Sequence, residues 1–138
     1  MHDTDVKRLK FNVHSDRLRL RADGSAEPLP LGDEFWPQLM SGKLGDFRNE
    51  YLVATSAFDR NWANWECHPN GDEIVMLISG RVTFVLETAQ GPRREDLTQT
   101  GDYVRVPRNT WHTALTSTPT TMLFITAGEG TLHRSAST

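Results

Sequence analysis

The sequence predicts an all-β domain, a sandwich or barrel of short antiparallel strands. Short runs rich in Val, Ile, Phe, Thr and Leu recur along the chain and alternate with clusters of Gly, Pro, Asn and Asp, which is the pattern of strands joined by tight turns. Many strands at such close spacing are typical of sandwiches and barrels. The chain has 138 residues, a length that suits one core. We therefore expect a single domain over residues 1–138.

Ten segments carry the pattern of a strand. In chain order they are residues 6–13, 17–21, 51–58, 62–68, 74–79, 81–87, 94–98, 102–106, 113–116 and 122–127. Turn-forming residues separate them: Pro69-Asn70-Gly71-Asp72 and Ala89-Gln90-Gly91-Pro92 each lie between two of these segments. We expect neighbouring strands to be joined by turns of a few residues.

The first third of the chain differs from the rest. One short helix is predicted at residues 32–40, where Phe35, Trp36 and Leu39 form an apolar face. Basic residues are concentrated in residues 1–21, and we expect them on the solvated face or edge of an N-terminal strand. The alternative is an arm that pairs with an acidic surface of a second subunit. The basic residues are Lys7, Arg8, Lys10, Arg17, Arg19 and Arg21.

Composition narrows the class of partner and the compartment. The net charge of −3 at pH 7 argues against a nucleic-acid surface covering the domain, so small molecules are the expected partners. Cys67 is the single cysteine, which excludes an intramolecular disulfide and a cysteine-based zinc site and favours a reducing compartment. No run approaches the 18 apolar residues of a membrane span. We expect a cytoplasmic protein with no membrane partner.

Four potential metal ligands lie close together in the predicted strands. Glu66 and His68 alternate with Cys67, so they point to one face of a strand while Cys67 points to the other. Glu73 follows the Pro-Asn-Gly-Asp turn, and a hairpin would place it across from that face; His112 is the fourth donor. Two imidazoles and two carboxylates suit a divalent ion such as Mn, Fe, Ni, Co or Zn.

The pattern resembles the two motifs of the cupin family. The first cupin motif is Gly, five residues, His-x-His, three or four residues, Glu, six residues and Gly; here Glu66, His68, Glu73 and Gly80 follow this spacing. The second is Gly, five residues, Pro-x-Gly, two residues, His, three residues and Asn. Gly101, five residues, Pro107-Arg108-Asn109, two residues and His112 follow it.

The resemblance implies a jelly-roll barrel, the double-stranded β-helix, with its conserved part at about residues 50–130 and strands and a short helix in residues 1–49. It implies that His68, Glu73 and His112 are metal ligands. The chain departs from the family pattern at Arg60, Asn109 and Thr116, where Gly, Gly and Asn are usual, and Glu66 replaces the first His. Since Asn tolerates a left-handed backbone, the turn at Asn109 is expected to survive.

A metal-free cluster is the alternative to a metal site. Without a cation, Glu66, His68, Glu73 and His112 could pair with one another as carboxylates and charged imidazoles. Two buried carboxylates with no positive charge would be costly, so either a metal or protonated histidines are expected. We expect the remaining histidines, His2, His14 and His133, to be surface or structural residues.

Aromatic residues flank the ligand segments. Trp62, Trp65, Trp111 and Tyr103, with Phe84 and Phe124, could wall a pocket for an apolar or planar ligand, although core packing is the ordinary role of each. Arg105 alternates with two valines. If it points inward it could anchor a substrate carboxylate; we favour an outward, solvated position.

Two functions fit these features. One is a metal-dependent enzyme of oxygenase, isomerase or lyase type acting on a small organic molecule. The other is a non-catalytic protein that binds or senses a metabolite, with a structural metal or none. A second polar residue facing the ion, ideally Lys, Tyr or Arg, would favour the enzyme, and the sequence alone does not place one. The resemblance also implies a homodimer.

Overall fold

The structure is a computed structural model that describes residues 8–30, 37–38, 41 and 44–136. Its described secondary structure consists of strands in two antiparallel sheets, which confirms the all-β prediction. The strands are β1 (Asp16–Leu20), β2 (Ala26–Pro30), β3 (Tyr51–Phe58), β4 (Asn64–Cys67), β5 (Glu73–Ser79), β6 (Val82–Thr88), β7 (Gly91–Leu97), β8 (Tyr103–Val106), β9 (His112–Leu115), β10 (Thr120–Ala127) and β11 (Leu132–Ser135).

The two sheets have the arrangement of a jelly roll. One has six strands in the order β2-β1-β3-β10-β5-β8, and the other has five in the order β11-β4-β9-β6-β7. From β3 to β11, the chain passes from one sheet to the other at every connection except that between β6 and β7. Sequence neighbours therefore face each other across the interior, and short sequence motifs contribute side chains from both sheets.

One apolar core lies between the sheets. Val75, Leu77 and Met122 reach it from the six-stranded sheet, and Phe84 and Ala114 from the five-stranded sheet; all are at most 1% exposed. Burial alternates along β5, as it must in a strand with one inward face. Glu73, at the start of β5, shares that inward face with the two core residues. The core thus carries a carboxylate at one end.

The predicted strand at residues 6–13 is wrong for its described part. Residues 8–12 have no regular structure, and a turn precedes β1. The Asn12 side chain accepts a hydrogen bond from the His14 N–H, and its carbonyl accepts from Ser15 and Asp16. Asn favours such local hydrogen bonds over the ladder of a sheet, so β1 begins only at Asp16.

Strands β2 and β11 were not predicted. Strand β2 contains Pro28 and Pro30, which have no N–H to donate and argue against a strand unless it lies at an edge; β2 is an edge strand of the six-stranded sheet. Strand β11 is exposed along its whole length, so it has no alternating pattern. Pairing with neighbouring strands, rather than local propensity, forms both elements.

The helix predicted at residues 32–40 lies mostly outside the described residues. Pro37 and Gln38 are in a helical turn, and the other residues of that segment, with Phe35, Trp36 and Leu39, are not among those described. Within the ranges that the structure describes, no helix has the length and apolar character needed to cross a membrane.

The predicted solvated position is wrong for two of the basic N-terminal residues. Strand β1 lies between β2 and β3 rather than at a sheet edge. Arg19 is buried: its Nη2 lies 2.6 Å from Oε1 of Glu50, and its guanidinium stacks over the Phe47 ring. Arg17 lines a cavity of the barrel. Arg8 and Lys10 are exposed, as expected.

Candidate metal centre

The structure brings together the four predicted ligand residues. Glu66 lies in β4, His68 directly follows β4, and His112 begins β9, all in the five-stranded sheet; Glu73 begins β5 in the six-stranded sheet. Glu66 and His112 are register partners. Glu73 does lie near Glu66, but the predicted hairpin is wrong, because β4 and β5 lie in different sheets and do not pair. Glu73 approaches the other three across the barrel interior.

The ligand atoms of the four residues form one cluster. One nitrogen or oxygen atom from each lies within 4.8 Å of those of the others. Oε1 of Glu73 is 2.9 Å from Nε2 of His112 and 3.4 Å from Nε2 of His68. Oε1 of Glu66 lies 3.7 Å from Nε2 of His68. This spacing places four donor atoms around one small volume.

Hydrogen bonds hold the outer atom of three of these side chains. Nδ1 of His68 lies 3.0 Å from the Thr131 hydroxyl, and Nδ1 of His112 lies 3.0 Å from the Thr110 carbonyl. The Thr126 hydroxyl donates to Oε2 of Glu73 at 2.7 Å. Such second contacts fix ring and carboxylate orientation in metal sites. They also leave the other atom of each side chain directed inward.

The inward atoms have no hydrogen-bond partner among the described residues. They are Nε2 of His68, Oε1 of Glu73 and Nε2 of His112, each fully buried. Although the Glu73 and His112 atoms are only 2.9 Å apart, they lack the alignment of a hydrogen bond. Buried polar atoms are nearly always satisfied, and imidazole and carboxylate donors suit a divalent transition metal. The donor set therefore fits such an ion.

Charge and burial act in opposite directions on the ionisation of this cluster. Burial alone would lower the pKa of His68, but the Glu66 and Glu73 carboxylates dominate and raise that pKa to about 9. Burial would raise the pKa of Glu73, but contacts with His112 and His68 more than offset it and lower that pKa to about 2. With no metal bound, a proton on His68 compensates the buried carboxylate.

Glu66 differs from the other three residues. Its side chain is 30% exposed, whereas the other three are at most 4% exposed. Its second oxygen, Oε2, lies 3.4 Å from Nε2 of His133 on β11. His133 is 55% exposed, as a surface residue should be, and β11 brings it to the rim of the cluster. Glu66 is thus the ligand side chain closest to solvent.

A cavity of about 420 Å³ opens beside the cluster, within the usual size of a small-molecule site. Glu66 and Glu73 form part of its wall. The remaining lining residues are Arg17, Ala54, Thr55, Ser56, Trp62, Ala63, Asn64, Phe124 and Thr126. Trp62 packs its ring edge-on against Phe84 at 5.5 Å and lies 6.3 Å from the His112 ring. The cavity therefore combines polar groups with an aromatic wall.

Of the residues predicted to form the pocket, Trp62 and Phe124 line this cavity, and the other five do not. The Arg134 guanidinium lies between Trp65 and Trp111, 5.1 and 4.7 Å from their ring centroids. Tyr103 and Arg105 line another depression, outside the ligand cluster. The Arg105 side chain is 62% exposed and lies 3.4 Å from Asp72, which agrees with the outward position that the sequence favoured.

Three residues of the site were missed by the sequence analysis. Arg17, Thr126 and Thr131 come from outside the two motifs, and no local pattern distinguishes them from ordinary strand or loop residues. Cys67 is buried outside the cluster, and burial raises the pKa of its thiol. Asn109 adopts a left-handed backbone, with a φ of 62°, as the turn of the second motif requires.

Comparison by sequence gives no relative: no family model matches the chain, and no curated protein matches it. Comparison by structure finds solved structures with a similar fold. A structure of oxalate oxidase aligns with a TM-score of 0.51 at 16% identity, over 59% of this chain and 45% of that one. A mutant of Bacillus subtilis oxalate decarboxylase aligns with a TM-score of 0.50 at 21% identity, over 62% of this chain and 24% of that one.

A cupin-2 domain protein from Shewanella frigidimarina aligns with a TM-score of 0.48 at 16% identity, over 56% of this chain and 70% of that one. The aligned part spans less than half of the oxidase and decarboxylase chains. At these identities the likeness concerns the fold. The oxidase and the decarboxylase are cupin-fold proteins, and this chain shares their fold over the aligned part. The chain has the cupin fold, with a group of His and Glu residues that could hold a metal ion.

Proposed function

We propose that this protein is a metal-dependent enzyme acting on a small organic molecule, with one divalent ion held by Glu66, His68, Glu73 and His112. The convergence of the three buried inward atoms, which have no hydrogen-bond partner among the described residues, carries the proposal. The two carboxylates balance the charge of a divalent ion. Mn and Fe accept this mixture of nitrogen and oxygen donors, as do Ni, Co and Zn.

The four ligand residues have different parts in the proposed activity. A bound ion would polarise a substrate oxygen as a Lewis acid. The outer hydrogen bonds of His68, Glu73 and His112 keep these three side chains fixed. Glu66 lines the cavity and is the most exposed of the four side chains, so it can turn away and accept a proton from the substrate. Oxygenase, isomerase and lyase chemistry all suit such a site, since the fold does not select among them.

Non-catalytic binding of a metabolite is the second candidate. The observation that favours it is the pairing of His68 with Glu66 and Glu73, which together raise the pKa of the imidazole to about 9. A proton can then take the place of the cation, and the cluster is stable as a structural element. In that case the cavity would still bind a small molecule.

Metal analysis tests the metal site on which the first candidate depends. After preparation in excess Mn²⁺ and removal of free ion, elemental analysis should find one ion per chain. His112→Ala should weaken Mn²⁺ binding by more than the roughly 10- to 100-fold that loss of a second-shell contact costs. His14→Ala is the matched control, because His14 is exposed and its imidazole bonds only Thr55 among the described residues. Substoichiometric metal, or equal effects of the two variants, would overturn the proposed metal site.

We also propose a cytoplasmic homodimer: the single cysteine supports the location, and the resemblance to cupins supports the dimer. Light scattering on the purified protein tests the dimer directly. A mass of two chains is expected, and the mass of a single chain would contradict it.

A further inference from the structure

The edge strand β11 carries a histidine to the rim of the ligand cluster. We infer that His133 is a positioning residue, which holds the Glu66 carboxylate so that one of its oxygens faces the metal ion. The inference rests on the proposed function, because it concerns one ligand of the same metal site. It assigns a role to a residue that lies outside both sequence motifs and that the proposed function does not use.

Strand pairing places His133 beside Glu66 on the inner face of the five-stranded sheet. His133 is the register partner of Glu66, and Glu66 is the register partner of His112. Register partners on paired strands project to the same face. The three side chains therefore form a row across β11, β4 and β9, with Glu66 in the middle. His133 is at the outer end of the row, since β11 is an edge strand.

The two oxygens of Glu66 have separate neighbours. Oε1 lies 3.7 Å from Nε2 of His68, in the cluster, and Oε2 lies 3.4 Å from Nε2 of His133. Glu73 is divided in the same way, because Thr126 holds its Oε2 while its Oε1 faces inward. An imidazole can donate from Nε2 to a carboxylate, so His133 can give Glu66 the outer partner that the other three ligands have.

A second contact holds β11 against the sheet. Arg134 follows His133 and projects to the opposite face. There its guanidinium lies between the rings of Trp65 and Trp111, 5.1 and 4.7 Å from their centroids. Trp65 belongs to β4, the strand that carries Glu66. The position of His133 relative to Glu66 is therefore fixed by a neighbouring cation–π contact as well as by the backbone ladder.

Exposure limits the strength of the restraint on Glu66. The His133 side chain is 55% exposed and that of Glu66 is 30% exposed, whereas the Glu73 side chain is 3% exposed. Water competes for a polar contact at the rim. Glu66 is therefore held less firmly than the buried ligands, and it keeps the freedom to turn away that the proposed activity needs.

Isothermal titration of the full-length protein with Mn²⁺ tests the role of His133. His133→Gln and His133→Leu both remove the imidazole, but only Gln keeps an N–H donor at the end of the side chain. Leu132→Ala is the matched control, because Leu132 is also exposed on β11 and lies next to His133 but projects to the other face. Visible absorption of bound Co²⁺ reports the ligand geometry in the same variants.

We expect His133→Leu to bind Mn²⁺ about tenfold more weakly than wild type and to change the Co²⁺ spectrum. A tenfold loss is the lower end of the effect of removing the partner of a metal ligand, as suits an exposed contact. His133→Gln should stay close to wild type in both measurements, and Leu132→Ala should equal wild type. In a Glu66→Gln background His133→Leu should have no further effect, because its role runs through the carboxylate.

Three results would overturn the inference: an Mn²⁺ affinity of His133→Leu as high as that of wild type or higher, an equal loss in His133→Gln or Leu132→Ala, or a loss that persists in the Glu66→Gln background. Failure of wild type to bind Mn²⁺ would instead overturn the proposed function. In that event urea unfolding of the metal-free wild type, His133→Leu, Glu66→Gln and the double variant decides the role of His133. Coupling between the two substitutions supports a contact that holds Glu66, and additive effects contradict it.

Discussion

The Thr126 hydroxyl donates a 2.7 Å hydrogen bond to Oε2 of Glu73 and thereby determines which carboxylate oxygen faces the ligand cluster. Oε1 is the other oxygen, and it lies 2.9 Å from Nε2 of His112 with no hydrogen-bond partner in the described part of the chain. The hydroxyl comes from β10 and the carboxylate from β5, which are paired strands. Sheet pairing thus fixes the orientation of a buried ligand.

Loss of this hydroxyl should weaken metal binding without removing any ligand. Thr126→Val keeps the shape of the side chain but leaves Glu73 free to rotate, so we expect Mn²⁺ affinity to fall about 10- to 100-fold. Isothermal titration with Mn²⁺ measures it. Thr83→Val is the control, because Thr83 makes a similar bond to Asp96 on the exposed face. Equal affinities for the two variants would show that Thr126 does not position Glu73.

The stability of the metal-free protein should depend on the ionisation of His68 and Glu73. The pKa of His68 is raised from 6.5 to about 9, so its contribution to stability is complete below about pH 6.5 and is lost as the pH rises through about 9. The pKa of Glu73 is lowered from 4.5 to about 2. Its contribution is complete above about pH 4.5 and is lost as the pH falls through about 2.

Thermal unfolding of the metal-free protein across this pH range provides the measurement. The contribution of the pair to Tm should be greatest between about pH 4.5 and 6.5. In His68→Gln the loss of stability between pH 6.5 and 9 should be smaller than in wild type, because the titrating imidazole is gone. An unchanged alkaline limb in that variant would mean that His68 is not protonated in the fold.

Metal uptake should release a proton from His68. An imidazole must be neutral to bind a metal, and the pKa of His68 is about 9 in the metal-free fold. Between about pH 6.5 and 8.5 we therefore expect Mn²⁺ affinity to rise about tenfold per pH unit, with about one proton released per ion. Titration calorimetry in two buffers of different ionisation enthalpy counts the proton. Binding without proton release would contradict a direct role for His68.

The four residues that cluster could be selected from the sequence, but their route to one another could not. Alternation along a strand and the spacing of two motifs were enough to select Glu66, His68, Glu73 and His112. Whether Glu73 belongs to a hairpin with β4 or to the opposite sheet depends on which strands pair, and these pairings join residues far apart in the sequence. Local patterns do not encode that choice.

The same reason explains the residues that were missed. Arg17 and Thr126 are placed by the register of β1 and β10 against β3, and Thr131 by the connection between β10 and β11. The N-terminal region was predicted least well. There the prolines of β2 argued against a strand that does form as an edge strand. Residues 6–13 were predicted to be a strand, whereas a turn forms at Asn12.

Asn109 should be replaceable by glycine but not by alanine. Its φ of 62° lies in the left-handed region, which costs most L-residues about 1–2 kcal/mol, Asn less, and glycine nothing. Its N–H also donates to the His68 carbonyl at 3.2 Å, so the turn before His112 is tied to the segment that carries His68. We expect Asn109→Ala to lower the free energy of unfolding by about 1 kcal/mol and Asn109→Gly to change it less.

Urea unfolding of the metal-free variants measures both. Since each variant loses the same amide group, equal stabilities would show that the backbone conformation at this position carries no cost, and a larger loss for glycine would show that the Asn side chain itself holds the turn.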